Sequence, residues 1–223
     1  MDFGIKNYIN MYKKKGLRYP VSYFFQTQLF DLINGTDTHI WLPKEEYIDK
    51  PENFENGTMY MSSWTETIRK ATLKAINIFS LVHEDIALID LGCGKGKVLC
   101  VWSKMFPKVQ KIIGVDYSPH LIEICLKNLH KISADNVQVI CDNVSDFNLS
   151  SNSKVNIFYL YNPFDEQILR KFLDKCKNMN SIIIYTNPVH IDIFYKKGFK
   201  KIFEKKSWHP NAAYTLLANK MVE

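Results

Sequence analysis

Ala87-Leu88-Ile89-Asp90-Leu91-Gly92-Cys93-Gly94-Lys95-Gly96-Lys97 sets the architecture expected of this 223-residue chain. Residues 87–91 are biased toward apolar side chains and suit a short buried strand. Gly92, Gly94 and Gly96 follow at alternate positions, where the missing Cβ lets the backbone turn sharply and pass close to a ligand. Val98, Leu99, Val101, Trp102 and Met105 give an apolar face to a helix opening after the loop, with its free amides directed at whatever lies over the glycines. Strand, glycine loop and helix in this order make a ligand cradle. The alternative is a tight strand-to-helix turn without a ligand, for which three glycines would cost backbone entropy to no purpose.

A dinucleotide fingerprint requires Gly-x-Gly-x-x-Gly, but here the third glycine arrives one residue early and Lys97 stands in the last glycine's place. Asp90-x-Gly92-x-Gly94-x-Gly96 instead resembles the first motif of class I S-adenosylmethionine-dependent methyltransferases. The resemblance implies that Asp90, Gly92, Gly94 and Gly96, with Cys93 among them, hold the methionine part of S-adenosylmethionine.

With 46% hydrophobic residues, the chain suits one sizeable α/β domain with an appended segment. The expected division is a helical and loop cap over residues 1–58 and a methyltransferase domain over 59–223. No apolar run approaches the ~20 residues of a membrane span, so no membrane partner is expected. The N-terminus lacks the apolar core and cleavage site of a signal peptide, which points to the cytoplasm. Five cysteines (Cys93, Cys100, Cys125, Cys141, Cys176) show no Cys-x-x-Cys spacing and read as reduced, mostly buried side chains, with no metal site expected. The net charge of +6 is dominated by lysine, with only Arg18, Arg69 and Arg170 as arginines, so a nucleic-acid partner is not favoured. Lys13, Lys14, Lys15 and Arg18 read as a solvated helix end or, alternatively, a nucleic-acid grip.

Residues 1 to about 33 read as two helical pieces broken by Gly16 and Tyr19-Pro20, the second with an apolar side of Val21, Phe24, Phe25, Leu29 and Phe30. That side should pack on the main domain as a lid or wall, or on a second subunit, making a homodimer through these helices one expectation. Asp31 to Thr58 is turn-rich. Ser63-x-x-Glu66 is a capping box for a helix from about Trp64 to Leu81.

Lys111 to Asp116 reads as a second buried strand ending in an acid, with Tyr117 beside it. Asp116 lies 20 residues beyond Gly96, near the interval at which Rossmann-type folds place a carboxylate on ribose hydroxyls. Ser118-Pro119 already supplies a cap for the next helix, which weakens the reading of Asp116 as a mere cap. A third strand, Val137 to Cys141, ends at Asp142-Asn143. In the family resembled, the acid at this place binds the adenine amino group and the next residue the ring; a plain Asx-turn is the alternative.

Val155 to Tyr161 reads as a fourth strand running into Asn162-Pro163-Phe164. These residues resemble the (Asn/Asp)-Pro-Pro-(Tyr/Phe) signature of amino methyltransferases, with one proline missing. The resemblance implies that Asn162 accepts a hydrogen bond from the acceptor nitrogen while Pro163 and Phe164 pack against it. The competing reading makes Asn162 a helix cap and Pro163 the first helical residue, a pattern that Asn187-Pro188 repeats after a fifth strand at Ser181 to Thr186. Two strand-like runs, Phe199 to Trp208 and Ala212 to Lys220, complete the chain.

The expected fold is therefore α/β, a three-layer Rossmann-like methyltransferase sheet of five parallel strands plus a C-terminal antiparallel hairpin, with an N-terminal helical cap. Phe30-Asp31, Gly35-Thr36-Asp37-Thr38 and Leu160-Tyr161-Asn162-Pro163-Phe164 resemble a bacterial group of class I methyltransferases without a generally established acceptor. A looser likeness, through Tyr60 and Tyr161-Asn162-Pro163-Phe164, is to non-SET lysine methyltransferases; Tyr60, which would close the site, and Tyr117 are placed with the cofactor residues. The implied reaction is in-line N-methylation of an amine or amide, with a protein or peptide favoured as substrate and a small-molecule acceptor as the variant. A small-molecule O-methyltransferase and a non-catalytic cofactor-binding scaffold remain as other readings.

Overall fold

The computed structural model describes residues 5–52, 54–147 and 153–219. Five strands, β1 (Ile86–Leu91), β2 (Lys111–Asp116), β3 (Val137–Cys141), β4 (Val155–Tyr161) and β5 (Ser181–Thr186), run parallel, and β6 (Lys200–Lys205) and β7 (Tyr214–Ala218) are the antiparallel C-terminal pair. They form one seven-stranded sheet in the order β3-β2-β1-β4-β5-β7-β6; the five parallel strands with a C-terminal antiparallel pair are as expected from the sequence. β7 ends at Ala218, and Lys220, the expected end of that run, lies outside the described residues.

Strand alternation splits the core in two. Ile86, Leu88, Ile157, Ile182 and Ile184 face one layer, with α4 (Thr65–Ile78), α5 (Lys97–Met105) and α6 (Pro119–Lys131). Ala87, Ile89, Phe158, Leu160 and Ile183 face the other, with α7 (Glu166–Lys175) and α8 (Ile191–Lys196). β1 is buried on both faces, which accounts for its near-continuous apolar sequence. Cys93, Cys100, Cys125 and Cys176 are buried free thiols as expected, while Cys141 is exposed.

Three local expectations are corrected. Ser63 does not cap α4. The N-terminal segment does so instead: the Glu66 N–H donates to Gln26 Oε1 at 2.9 Å and the Thr65 hydroxyl to the Gln26 carbonyl at 2.7 Å. Glu66 pairs with Lys70. Neither Asn162 nor Asn187 is a helix cap, because Asp165 caps α7 and α8 starts after His190; both asparagines hold left-handed backbone, at φ 42° and 50°. Pro20 does not break the second N-terminal helical run. It sits in the first turn of α2 (Arg18–Tyr23), where its missing N–H has little cost, and a π-helical turn over Phe24–Gln28 continues to α3 (Leu29–Asn34).

The face this run turns inward is more polar than expected. Tyr23, Thr27 and Asp31 are buried, whereas Val21 and Phe25 are exposed. Asp31 organises the turn after α3. Its carboxylate accepts hydrogen bonds from the Thr36 and Thr38 hydroxyls, the Thr38 and His39 amides, and His39 Nδ1. These bonds hold its carboxyl below the usual carboxylate range despite burial.

Candidate active site

β1 pairs with β2 on one side and β4 on the other, so the chain direction across the sheet switches between β1 and β4. Ligands of open α/β sheets bind outside the carboxyl ends of the strands at such a switch. Here a cavity of about 850 Å³, its open mouth included, lies over these strand ends.

Of the residues singled out from sequence, Tyr60, Asp90, Gly92, Cys93, Asp116, Tyr117, Asn143, Pro163 and Phe164 line this cavity together. Gly94, Gly96, Asp142 and Asn162 lie outside its lining. Gly92, Gly94 and Gly96 have φ of 76°, 51° and 83°, conformations that disfavour any side chain. Their close approaches are to protein. A Cβ would come within 2.6 Å of Pro163 at Gly92, 2.2 Å of the Tyr60 ring at Gly94 and 2.5 Å of Cys125 Sγ at Gly96. The loop is thus clamped from above by Tyr60 and Pro163, and it reaches β2 through the Gly94 N–H, which donates to Asp116 Oδ2 at 2.8 Å.

Two carboxylates lie within the cavity. Burial raises the Asp116 carboxyl to about 6, even though the Gly94 and Ser118 amides favour its charged form. Burial and the neighbouring Asp116 push Asp90 well above the ordinary carboxylate range. Among the described residues, neither forms a salt bridge to a basic side chain. The Tyr117 hydroxyl, also on the lining, is buried without a hydrogen-bond partner. Lys97 on the lining directs its ammonium to the Thr27 carbonyl and the Phe30 ring, so the two carboxylates lack a paired cation and the Tyr117 hydroxyl lacks an acceptor. S-Adenosylmethionine, with its sulfonium, ammonium and ribose hydroxyls, supplies both, so the residues present fit it.

At the end of β3, Asp142 Oδ1 accepts the Asn143 N–H at 2.7 Å, and Asn143 Oδ1 accepts the Ser145 N–H at 2.9 Å, the Asx-turn weighed from sequence. Asn143 nonetheless borders the cavity and Asp142 does not. At the end of β4, Asn162 Oδ1 accepts from the Tyr185 hydroxyl at 3.2 Å and its carbonyl from the Thr58 hydroxyl at 3.2 Å. A strap over residues 54–61 crosses this turn. Gly57 bridges Phe164, and the Thr58 N–H donates to the Pro163 carbonyl at 3.2 Å. Tyr60 is fixed at the strap's end by its hydroxyl bond to the Thr38 carbonyl at 2.7 Å.

Several lining residues escaped the sequence reading. Ser63, Met59 and Met61 come from the strap and its continuation, which carry no periodic signal. Tyr159 and Tyr161 were legible in principle, because Tyr159 registers against Asp90 and both alternate onto the same sheet face. Lys97 is 2% exposed; its ammonium donates to the Thr27 carbonyl at 3.2 Å and lies 3.7 Å from the Phe30 ring centre. Burial drives Lys97 down to about 7, against the attraction of Asp31.

Comparison with known proteins agrees with this geometry. The chain is similar to a malonyl-[acyl-carrier protein] O-methyltransferase from Priestia megaterium, 25% identical over 141 residues, or 60% of this chain and 50% of that protein. A probable cobalt-precorrin-6B C(15)-methyltransferase (decarboxylating) from Methanobrevibacter smithii is 30% identical over 79 residues, 34% of this chain and 41% of that protein. The chain spans about half the length of the curated relatives it matches. Among solved structures, a variant of MtNAS in complex with S-adenosylmethionine matches with TM-score 0.52 at 12% identity, covering 69% of this chain and 61% of that one. A ribosomal protein L11 methylase from Lactobacillus delbrueckii subsp. bulgaricus matches with TM-score 0.51 at 11% identity, covering 69% and 76%. The profile of a family described as "Methyltransferase domain" matches residues 82–206, from the turn before β1 through β6. The chain accordingly belongs to the methyltransferase-domain family, and it shares the Rossmann-like fold of the S-adenosylmethionine complex it matches.

Proposed function

We propose that this protein transfers the methyl group of S-adenosylmethionine to an amine or amide nitrogen of a protein or peptide. The observation that supports this reading is continuity: one cavity runs from the carboxylates of β1 and β2 to Pro163 and Phe164 at the end of β4. Bound there, S-adenosylmethionine supplies an electrophilic methyl group on a sulfonium. Asp90 and Asp116 offset positive charge and accept hydrogen bonds from ammonium and ribose groups. Pro163 and Phe164 wall the acceptor side. Asn162 lies just outside the lining, beside Pro163, with its Oδ1 on the Tyr185 hydroxyl at 3.2 Å, long for a hydroxyl donor; in this reading the amide exchanges that bond for the acceptor N–H by turning toward the cavity. The strap and Tyr60 exclude water, which favours the neutral, nucleophilic form of an amine.

O-Methylation of a small molecule is a second reading, favoured by the O-methyltransferase relative and by the Tyr159, Tyr161 and Ser63 side chains on the lining. The test is transfer of labelled methyl from S-adenosylmethionine into a fractionated cytoplasmic extract, alongside the Asn162→Ala protein. Label in a protease-sensitive macromolecular fraction, lost with Asn162→Ala while cofactor binding persists, is the expected result. Label in small molecules, insensitive to Asn162→Ala, would move the function to the second reading. No label despite cofactor binding would favour a non-catalytic scaffold.

A further inference from the structure

A second groove lies outside the active-site cavity, between α1 (Ile5–Lys15) and residues 40–43. Met59 lines both spaces, so one unbranched side chain is a shared wall between them. Met59 follows Thr58, whose N–H donates to the Pro163 carbonyl at 3.2 Å, so the shared wall adjoins the acceptor end of the inner cavity. From α1 the groove receives Asn7, Asn10, Met11 and Lys14, spaced i, i+3, i+4 and i+7 on one helical stripe.

The chemistry of that stripe is selective. Asn7 and Asn10 each present a donor and an acceptor, the complement of a peptide group, one helical turn apart. Lys14 is exposed, and residues 5–30 hold Lys6, Lys13, Lys14, Lys15 and Arg18 without any Asp or Glu. Among the described residues, no acidic side chain lines the groove. Trp41, packed edge-on against Tyr23 with ring centres 6.0 Å apart, gives it a fixed apolar wall.

Resting on the methyl-transfer reading of the inner cavity, we propose that this groove receives the acceptor as an extended polypeptide segment bearing carboxylate side chains, with its target nitrogen passing Met59. The partner is recognised by amide contacts at Asn7 and Asn10 and by charge at Lys14.

The test uses the full chain and a fluorescein-labelled peptide of about twelve residues, alternating Glu and Ala around one Lys, against its Gln-for-Glu counterpart. Anisotropy is read at about 0.15 M salt, where charges beyond about 8 Å are screened. The Glu peptide is expected to bind about ten-fold more tightly than the Gln peptide, and Lys14→Glu to remove that difference. Lys13→Glu, an equal charge change off the stripe, is expected to stay within about two-fold of the parent protein. Equal binding of the two peptides, absence of binding, or equal losses from Lys13→Glu and Lys14→Glu would each overturn the proposal. Displacement of the peptide by an equimolar amount of free glutamate would also overturn it, in favour of a small anionic acceptor. Calorimetry of S-adenosylhomocysteine on the same preparations separates the two levels. Its failure to bind removes the methyl-transfer reading, whereas the peptide arms report on the groove alone.

Discussion

Asp116 carries the clearest prediction among single residues. Its carboxyl ionises at about 6 in the fold, and only the charged form offers every lone pair to ribose hydroxyls while also accepting the Gly94 N–H. Affinity for S-adenosylhomocysteine is therefore expected to fall as pH drops below about 6. Asp116→Asn should weaken binding about ten- to a hundred-fold and flatten that dependence, as read by calorimetry between about pH 5 and 8. The position was legible because a carboxylate at the end of the second strand is a spacing property of the chain. The reason for the glycines was not. Sequence shows that Gly94 has no side chain, but only the packed structure shows that Tyr60 fills the space. Gly94→Ala should cost about 1–3 kcal/mol, combining strain at φ 51° with the Tyr60 collision. Tyr60→Ala in the same protein should restore only the collision part, which a double-mutant cycle in urea can measure.

At the level of elements, the N-terminal segment is tied to the domain by polar contacts as well as by Phe30 of the expected apolar stripe, which packs against the core, while Val21 and Phe25 face outward. Gln26 caps α4 across 40 residues of sequence, and Gln26→Ala should cost about 1 kcal/mol in urea unfolding. Asp31 is more consequential, because its removal leaves several buried donors unsatisfied. Asp31→Ala is expected to cost about 3 kcal/mol or more and to free Tyr60 through the Thr38 turn, with weaker cofactor binding as the second readout. The Gly35-Thr36-Asp37-Thr38 motif thus has a structural account. Asn128 accepts the Asp37 N–H and donates to the Asp37 and Lys95 carbonyls, and the Lys95 ammonium lies 3.3 Å from Asp37, so the turn joins the cap to the glycine loop. A capping box is a short-range pattern, and Ser63-x-x-Glu66 satisfies it in sequence. A distant glutamine took over the cap, leaving Ser63 on the cavity lining.

Across the whole molecule, acid stability should reflect opposing shifts at one imidazole and two carboxyls. Burial lowers His209 to about 4, where it stacks on Trp64 with ring centres 4.8 Å apart; the unfolded chain takes up that proton below about 6.5, so stability is lost as pH falls from 6.5 toward 4. Asp116 acts in the opposite sense. Its raised folded value means the native state binds the proton first, so stability rises as pH falls from about 6 toward 3.8, and Asp90 adds to this direction. With two carboxyls opposing one imidazole, the expected net direction is a rise in stability as pH falls from about 6 to 4. In denaturant unfolding, His209→Gln should steepen that rise, and Asp116→Asn should flatten it. Among the described residues no helix is long and apolar enough to cross a membrane.

Five parallel strands with a C-terminal hairpin, the glycine loop, and the acids at the ends of β1 and β2 were legible in the amino-acid order, because these follow from alternation, glycine spacing and chain intervals of a few tens of residues. Tertiary structure alone decided which of those residues share a cavity. It turned Asn162 and Asp142 toward their own neighbours, buried Lys97 beneath the cap, and brought the strap over residues 54–61 across the site. Such contacts join segments far apart in the chain, and they depend on how side chains compete for one space, a competition that no local pattern records.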